Sequence, residues 1–524
     1  MQPPMPSVSA DAQDRNLGFF QRPALAHAAD RTALVELPVG GAARHVTHAE
    51  LDQAMDQVAA GLMRAGLGPG DRLLVATGNG IAFVACFFGA MRLGVQPVAL
   101  NTQASAEVIA HIVHDADVAG VVADLAVVPR LRDFAGLPRQ RWATGPEAPG
   151  WAPYAALVGG GEDYPAFDPP ADAAAFVAYT SGSGGWPKGA LLGHAGMLWS
   201  IRLAERLAPL APDACAVAAT PLYHKNAMRG VIKPYLRAGA MAVITTSFDA
   251  PLFLHALQTY GATFTSGVPA IFSRALAEIE RRGGIDLPRL EAVAIGSAVV
   301  TETLAGAVEA AFGAKVKNAY GLTEAGGPLQ PPADGRAVPE GSVGVPALEN
   351  EVRLVDSEGG DACQEGELWV RSPAVTLGYL NRPDETAARL VDGWFRTGDR
   401  FRRDDDGFFH FLGRVDDMFN CGGENIYPKE VENLIARHPA VAEVAVAAIR
   451  HDAKGQAPAA LVVPRPGHTP SEASIKAFCL EHGPAYAHPR RVLMVERLPL
   501  LGTGKIDRRQ VQALLAGAAD RRSG

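Results

Sequence analysis

The segment YTSGSGGWPKG, residues 179–189, decides how this chain is read. Small and hydroxylated residues crowd around glycines, and a proline then delivers Lys188 at a fixed distance. Glycines at 182 and 185 let backbone N–H groups approach an anion closely. The hydroxyls of Thr180, Ser181 and Ser183 can donate to its oxygens, and the lysine adds charge. The pattern is not a Walker A loop, because Pro187 stands where that motif needs glycine before the lysine. Taken alone, the segment also fits an ordinary Gly/Ser turn.

The rest of the chain supplies context. It has 524 residues, too many for one core, so at least two domains are expected. Hydrophobic residues at 48% and charged residues at 20% suit a soluble globular protein. A net charge of −8 leaves no electrostatic footprint for nucleic acid. Cys86, Cys215, Cys363, Cys421 and Cys479 are odd in number and scattered, with neither metal spacing nor a disulfide framework. A reducing cytoplasm is the expected setting. The polar, proline-rich start lacks the features of a secretory signal. The longest apolar run, IAFVACFFGAM (81–91), is too short to span a bilayer and reads as a buried helix, so no integral membrane segment is expected.

From about Val46, apolar runs bounded by Gly and Pro alternate with amphipathic stretches, an α/β pattern. Strands are expected within 71–79, 95–101, 118–124, 216–224, 242–248 and 291–298. Several end in Gly, Ser, Thr or His, and ligands sit at strand ends in open parallel sheets. The segment 143–172 reads as a surface connection. Near Asp404 the run RRDDDGFFHFLGRVDD (402–417) reads as a solvated turn leading into an interdomain hinge. Beyond it, a helix at 428–437, strands at 441–449 and 459–464, and a helix at 472–482 compose a small α+β domain.

Further strings follow in a fixed order: PLYH (221–224), AYGLTE (319–324), GELWVRSP (366–373), GWFRTGD (393–399), GRVDDMFNCGGENIYPKEVE (413–432) and GTGKIDR (502–508). With the 179–189 segment they resemble the acyl-adenylate-forming superfamily, specifically its AMP-forming acyl- and aryl-CoA synthetases, over about Gly70 to the C-terminus. The resemblance implies a large N-terminal domain of layered sheets and helices (1–413) and a small mobile α+β lid (414–524). It implies ATP, Mg²⁺ and coenzyme A as co-substrate. A small-molecule carboxylic acid is its substrate partner, and a homodimer is compatible with it. The reaction expected is acid plus ATP to acyl-AMP and pyrophosphate, then thioesterification by CoA with release of AMP.

Residue by residue, the resemblance carries over as follows. Thr180, Ser181, Gly182, Ser183, Gly185 and Lys188 take the phosphates. Thr323 stands beside the α-phosphate, and Glu324 is the magnesium-associated carboxylate. Gly296, Ser297, Ala298, Asn318, Ala319 and Tyr320 sandwich the adenine, although Tyr320 by itself fits a core aromatic equally well. Asp399 takes the ribose hydroxyls, since one carboxylate can accept two hydrogen bonds, and Arg414 also reaches the nucleotide. Lys505 offsets the charge that builds up during adenylation. Asp416 is the hinge, and rotation about it exchanges Lys505 for Gly422 and Gly423, which admit the pantetheine arm. His224 positions and gates the acid and is not assigned to proton transfer.

Four positions depart from the family pattern. Gly184 removes a hydroxyl donor worth about 1.5–3 kcal/mol toward a charged phosphate. Trp186 is bulky, Gly193 precedes His194 where threonine is usual, and Ala487 stands in place of a lysine. The acid pocket is expected to use His224, Lys225, Asn226, Ser266, Gly321 and Gly326, with Gly267 and Gly327. Lys225 either meets a polar substituent or points to solvent. An aryl or short-to-medium acid follows, with room for a hydroxyl or second carboxylate. The alternatives are an enzyme that loads a separate carrier protein and a degenerate nucleotide- or acyl-binding protein.

Overall fold

The computed structural model describes residues 14–132, 134, 136–160, 163–180, 186–296, 300, 302–356, 358–421, 424–451, 454–500 and 506–520. The chain divides into two compact units. The first comprises 1–337, 346–351 and 370–395; the second comprises 338–345, 352–369 and 396–524.

Two sheets dominate the first unit. One has seven strands in the order Lys315–Asn318, Ala292–Ile295, Phe264–Gly267, Cys215–Ala218, Met241–Thr245, Thr32–Leu37 and Arg44–Thr47. All its pairings are parallel except the last. The other sheet has eight, in the order Gly378–Tyr379, Lys188–Gly193, Ala174–Thr180, Gln96–Ala99, Arg72–Ala76, Gly120–Asp124, Gln140–Thr144 and Ala152–Pro153.

Between the sheets lie helices His48–Arg64 and Ile81–Arg92, in a core shared with Leu34 and Ala242 of one sheet and Leu73 and Val75 of the other. The first helix opens on a capping box between Thr47 and Glu50. The second is apolar nearly all round, and every residue in it but Ala82 is buried. It ends on Arg92, whose fully buried guanidinium ion-pairs with Asp52 and Asp56. Helices Ala250–Thr259, Pro269–Arg282 and Glu302–Phe312 cover the outer face of the seven-stranded sheet. Ala106–Asp115 and Val128–Leu131 cover that of the eight-stranded one.

The expected strands at 71–79, 95–101, 118–124 and 291–298 each contain an observed one, and those at 216–224 and 242–248 overlap strands that begin one residue earlier. The segment 143–172 departs from its reading as a plain surface connection. It holds the edge strand Ala152–Pro153 and the buried Leu157, and Phe167 N–H donates to Arg92 O at 2.8 Å. These contacts strap it to the inner helices.

Two further sheets have most of their residues in the second unit. One contains Glu351–Val355, Glu365–Arg371, Trp394–Arg403 and Phe409–Arg414. The run 402–417, read as a turn and hinge, therefore spends most of its length in a hairpin of this sheet. Asp404 makes the turn by accepting from Phe408 N–H at 2.8 Å, and Phe401 stacks edge-on with Phe409 and Phe411 across the pair. The chain then leaves through the short turn Val415–Asp417.

The other sheet, in the order Glu424–Ile426, Phe419–Cys421, Gly455–Pro464 and Val441–His451, also carries Arg491–Met494 beside Gly455–Pro464. Helices Pro428–Ala436 and Glu472–His482 pack on one face, and Arg508–Asp520 packs on the other. Among the described residues no helix is long and apolar enough to cross a membrane. None of the five cysteines is in a disulfide.

Candidate active site

The two ends of the 179–189 segment belong to paired strands. Strands Ala174–Thr180 and Lys188–Gly193 pair antiparallel, with Tyr179 opposite Gly189 and Thr180 opposite Lys188. That register clamps both ends of the loop. Ser181, Gly182, Ser183 and Gly185, with Gly184, lie outside the described residues. Helix Ala106–Asp115 braces the loop: His111 Nε2 meets Pro187 O at 2.9 Å, and its ring lies 5.1 Å from the half-exposed Trp186 indole. Tyr179 donates to Asp115 at 2.7 Å. The ammonium of Lys188 ion-pairs with Glu385 on helix Pro383–Arg389.

Beside the hairpin runs the short strand Gly378–Tyr379, with Tyr379 opposite Ala190. This pairing carries the Tyr379 hydroxyl to Glu324. Tyr379 Oη and Thr180 Oγ1 each donate to Glu324 Oε1 at 3.2 Å. Burial, with the Glu324 charge behind it, pushes the Tyr379 phenol up, so it remains a donor. Both hydroxyls use one oxygen, and Oε2 takes no hydrogen bond among the described residues. Thr323 and Glu324 begin the 3₁₀ turn Thr323–Ala325, and Thr376 N–H donates to Glu324 O at 2.6 Å. The glutamate is thus fixed by backbone and side chain, with one carboxylate oxygen available.

The remaining expected residues of this unit gather at the carboxyl ends of the parallel strands. Strand Cys215–Ala218 leads to His224, Phe264–Gly267 ends in Ser266 and Gly267, and Ala292–Ile295 ends at Gly296. Lys315–Asn318 ends in Asn318, with Ala319 and Tyr320 next. Adjacent register places Ser266 beside Ala294, and Ile295 beside Asn318. Ser297 and Ala298 lie outside the described residues. His224 caps the turn Lys225–Ala227 through its backbone, and its N–H donates to Pro221 O at 3.0 Å.

Strands Tyr320–Leu322 and Gly326–Gln330 bring Gly321 against Gly326. A Cβ at 321 would stand 2.4 Å from Gly326 O, and Gly326 itself has φ +66°. The ammonium of Lys225 is buried, so it does not point to solvent. Buried Asn226 Oδ1 and Ser266 Oγ have no hydrogen-bond partner among the described residues.

Sequence reasoning passed over Asn79. Its amide donates to Thr220 O at 3.0 Å and Thr245 O at 3.1 Å, and it accepts from Leu222 N–H at 2.7 Å. Three hydrogen bonds from one buried side chain tie the PLYH turn to the neighbouring strand end. Tyr379, Glu385 and Arg229 were missed as well. Arg229 sits in the π-helical turn Met228–Ile232 just past PLYH, in a geometry frequent at functional sites. A cation within an otherwise apolar AM-GVI run is the signal that could have found it.

In the second unit, Asp399 and Arg414 face each other across a strand pair. Arg414 Nη1 stands 3.5 Å from Asp399 Oδ1, and its Nη2 stands 3.7 Å from Asp416 Oδ2. Asp399 is 7% exposed, and its N–H donates to Thr397 Oγ1 at 3.0 Å. Gly422, Gly423 and Lys505 lie outside the described residues. The GTGKIDR arginine, Arg508, is anchored: it ion-pairs with the buried Glu432 and donates to Val446 O at 3.0 Å. Burial works against its charge, and Glu432 outweighs that and raises its pKa. Ala487 is buried in the core of this sheet, with no room for a lysine's charge.

Among the described residues no three His, Cys, Asp or Glu form a metal cage. One fixed carboxylate with an unengaged oxygen fits magnesium, which keeps its waters and is carried largely by phosphate. A strand-end cluster of this kind, next to a clamped Gly/Ser loop, defines a nucleotide-phosphate enzyme of the adenylate-forming type.

The chain belongs to the AMP-binding enzyme family: that family's model matches residues 20–380, and the AMP-binding enzyme C-terminal domain matches 430–505. It is similar to the feruloyl-CoA synthase of an Amycolatopsis species, 32% identical over 492 residues, covering 91% of this chain and 96% of the relative. The 2-succinylbenzoate–CoA ligase of Bacillus cereus (strain Q1) is 31% identical over 476 residues, covering 90% and 94%. Among solved structures, the anthranilate CoA ligase AuaEII in complex with anthranoyl-AMP superimposes with a TM-score of 0.87. That match has 25% identity and covers 96% of this chain and 98% of the other. Within the family, then, this protein is an AMP-forming acid–CoA ligase.

Proposed function

We propose that the acid is an aryl or short-to-medium carboxylic acid, held at the strand ends by His224, Lys225, Asn226, Ser266, Gly321 and Gly326. The observation that carries the reading is the Thr180–Glu324–Tyr379 contact, which sets a fixed carboxylate at the end of the phosphate loop. In the first step a carboxylate oxygen attacks the α-phosphorus of ATP, and the bond to the bridging oxygen breaks. Pyrophosphate leaves with that electron pair. In the second, the CoA sulfur attacks the acyl carbon and AMP departs.

Both reactants of the first step are anions, so positioning and charge neutralisation do most of the work. Thr180, Ser181, Gly182, Ser183, Gly185 and Lys188 bind the phosphates, and Lys188 exchanges Glu385 for them. Thr323 donates at the α-phosphate. Magnesium, when bound, would supply positive charge to offset that of the leaving group, and Glu324 Oε2 is the protein ligand that would hold it. Gly296, Ser297, Ala298, Asn318, Ala319 and Tyr320 hold the adenine, while Asp399 and Arg414 serve the ribose. Lys505 serves adenylation, Gly422 and Gly423 serve thioesterification, and the turn at Asp416 is the pivot of the 414–524 lid.

Pyrophosphate release from ATP, measured across aryl and aliphatic acids with and without CoA, tests this reading. Turnover that needs CoA and yields an acyl-CoA supports it. Release without acyl-CoA would transfer the acyl group to a carrier protein instead. Silence across the panel with ATP still bound would mean a degenerate binder.

A further inference from the structure

The acid pocket contains an unbalanced charge. Arg229 lies in the π-turn directly beyond His224, Lys225 and Asn226, and its guanidinium is laid against two glycines of the pocket wall. A Cβ at Gly327 would fall 1.8 Å from Arg229 Nη2 and 2.0 Å from Nη1, and one at Gly321 would fall 3.0 Å from Nη1. The guanidinium therefore fills the space that side chains at 321 and 327 would take.

No hydrogen bond or ion pair engages it among the described residues. Burial pulls its pKa down, and no carboxylate acts to raise it. Four residues on, Lys233 is 8% exposed, and the contact of its Nζ is the Met197 thioether at 3.8 Å. Burial, then the charge of Arg229, brings Lys233 down to about 8. The half-buried Arg229 and the buried Lys233 thus lie close together, and among the described residues no acid pairs with either. Beside them, Ser266 Oγ and Asn226 Oδ1 are buried and have no partner among the described residues, and a Cβ at Gly230, next to Arg229, would stand 3.6 Å from that Ser266 oxygen.

Burying a charge without a partner is costly, and folds avoid it unless a ligand completes the pair. An arginine fork matches a carboxylate with two parallel hydrogen bonds, which makes it selective as well as strong. We propose that the acid is a dicarboxylic acid: one carboxylate is adenylated, and the second is taken by the Arg229 fork, with Lys233 behind it. This rests on the reading above that the strand-end pocket holds the acid. It narrows the substrate to acids with a second ionised carboxyl.

The test compares matched acids, butyrate with succinate and benzoate with terephthalate, on the full-length wild type, Arg229→Met, Arg229→Lys and Gly327→Ser. Acyl-CoA formation gives kcat/KM for each. In the wild type at least one diacid should exceed its monoacid partner. The diacid-to-monoacid ratio should fall by about tenfold or more in Arg229→Met, the worth of one charge-assisted hydrogen bond. Arg229→Lys should fall between the two. Gly327→Ser keeps the charge but displaces the guanidinium, and it should lower the ratio as well.

Arg229→Met should melt no lower than the wild type, because it removes a half-buried charge that has no partner among the described residues. A lower melting temperature would reveal an internal partner and overturn the proposal, as would an unchanged ratio or monoacid preference throughout. If none of these acids is activated, the reading of the strand-end pocket as the site of an aryl or short acid fails on its own, and calorimetric binding of the diacids still decides the arginine. Binding lost in Arg229→Met supports the proposal, and equal or absent binding overturns it.

Discussion

Glu324 and Asn79 show how differently two residues can announce themselves. Glu324 is legible because it stands in AYGLTE, and the structure adds that two hydroxyls hold the same one of its oxygens. Glu324→Gln keeps that acceptor, so the fold should be unaffected. Pyrophosphate release should fall about 10²-fold, the usual cost of removing one electrostatic contact to a transition state. Equal rates would remove Glu324 from the chemistry. Asn79 carries no local signal, because its partners are backbone groups up to 166 positions away. Asn79→Ala leaves two carbonyls and one N–H unpaired at the PLYH turn. It should cost about 3 kcal/mol in urea unfolding and raise KM for the acid, since His224 loses its support. Lost stability with an unchanged KM would make Asn79 structural only.

Among elements, the helix Ile81–Arg92 and the strands that follow Gly- or Pro-rich turns could be read directly, because burial on all sides leaves an apolar run. The hairpin inside 402–417 could not. Its charges are the turn, and the alternation of Phe409 and Phe411 that marks a strand is too short to stand out beside RRDDD. Helix Arg508–Asp520 offers a test at this scale. Arg508 binds Glu432, which is 2% exposed and also accepts from Val446 N–H at 2.9 Å. Arg508→Met leaves that carboxylate with only the Lys429 ammonium, 3.4 Å away, and should destabilise the second unit by about 1–2 kcal/mol. Amide exchange across Val441–His451 should quicken accordingly, while unchanged exchange would show the pair to be dispensable. The same variant should slow the first half-reaction, because Lys505 stands three positions before Arg508 in the chain.

For the molecule as a whole, acid is the sensitive direction. Burial holds the imidazoles of His48 and His194 down at about 4. His194 Nδ1 accepts from Leu17 N–H at 2.9 Å, a bond that a protonated ring cannot make. Both rings are neutral when folded and titrate near 6.5 when unfolded. Their contribution, on the order of 3 kcal/mol each, is complete above pH ~6.5 and is lost as pH falls toward 4. The melting temperature should drop over that window, and His194→Asn, which keeps an acceptor, should flatten the drop. A flat profile in the wild type would contradict the burial argument. At this scale the sequence shows the α/β class and the strand ends that carry the site, because turn chemistry and patterning are local. It does not show that 338–345 and 352–369 join 396–524 in one unit, since that depends on contacts between distant segments. Arg229 was missed for a related reason: its meaning is the absence of an acid, which only three dimensions reveal.

The pairing of Thr180 with Lys188 also bears on how this protein can vary. Sheet partners alternate faces, so a one-residue slip of strand Lys188–Gly193 would turn Lys188 to the opposite side. Substitutions in the loop, such as the glycine at 184, leave that frame intact. Composition between the two strands can therefore drift across generations, whereas changes that slip their pairing should be purged far more strictly.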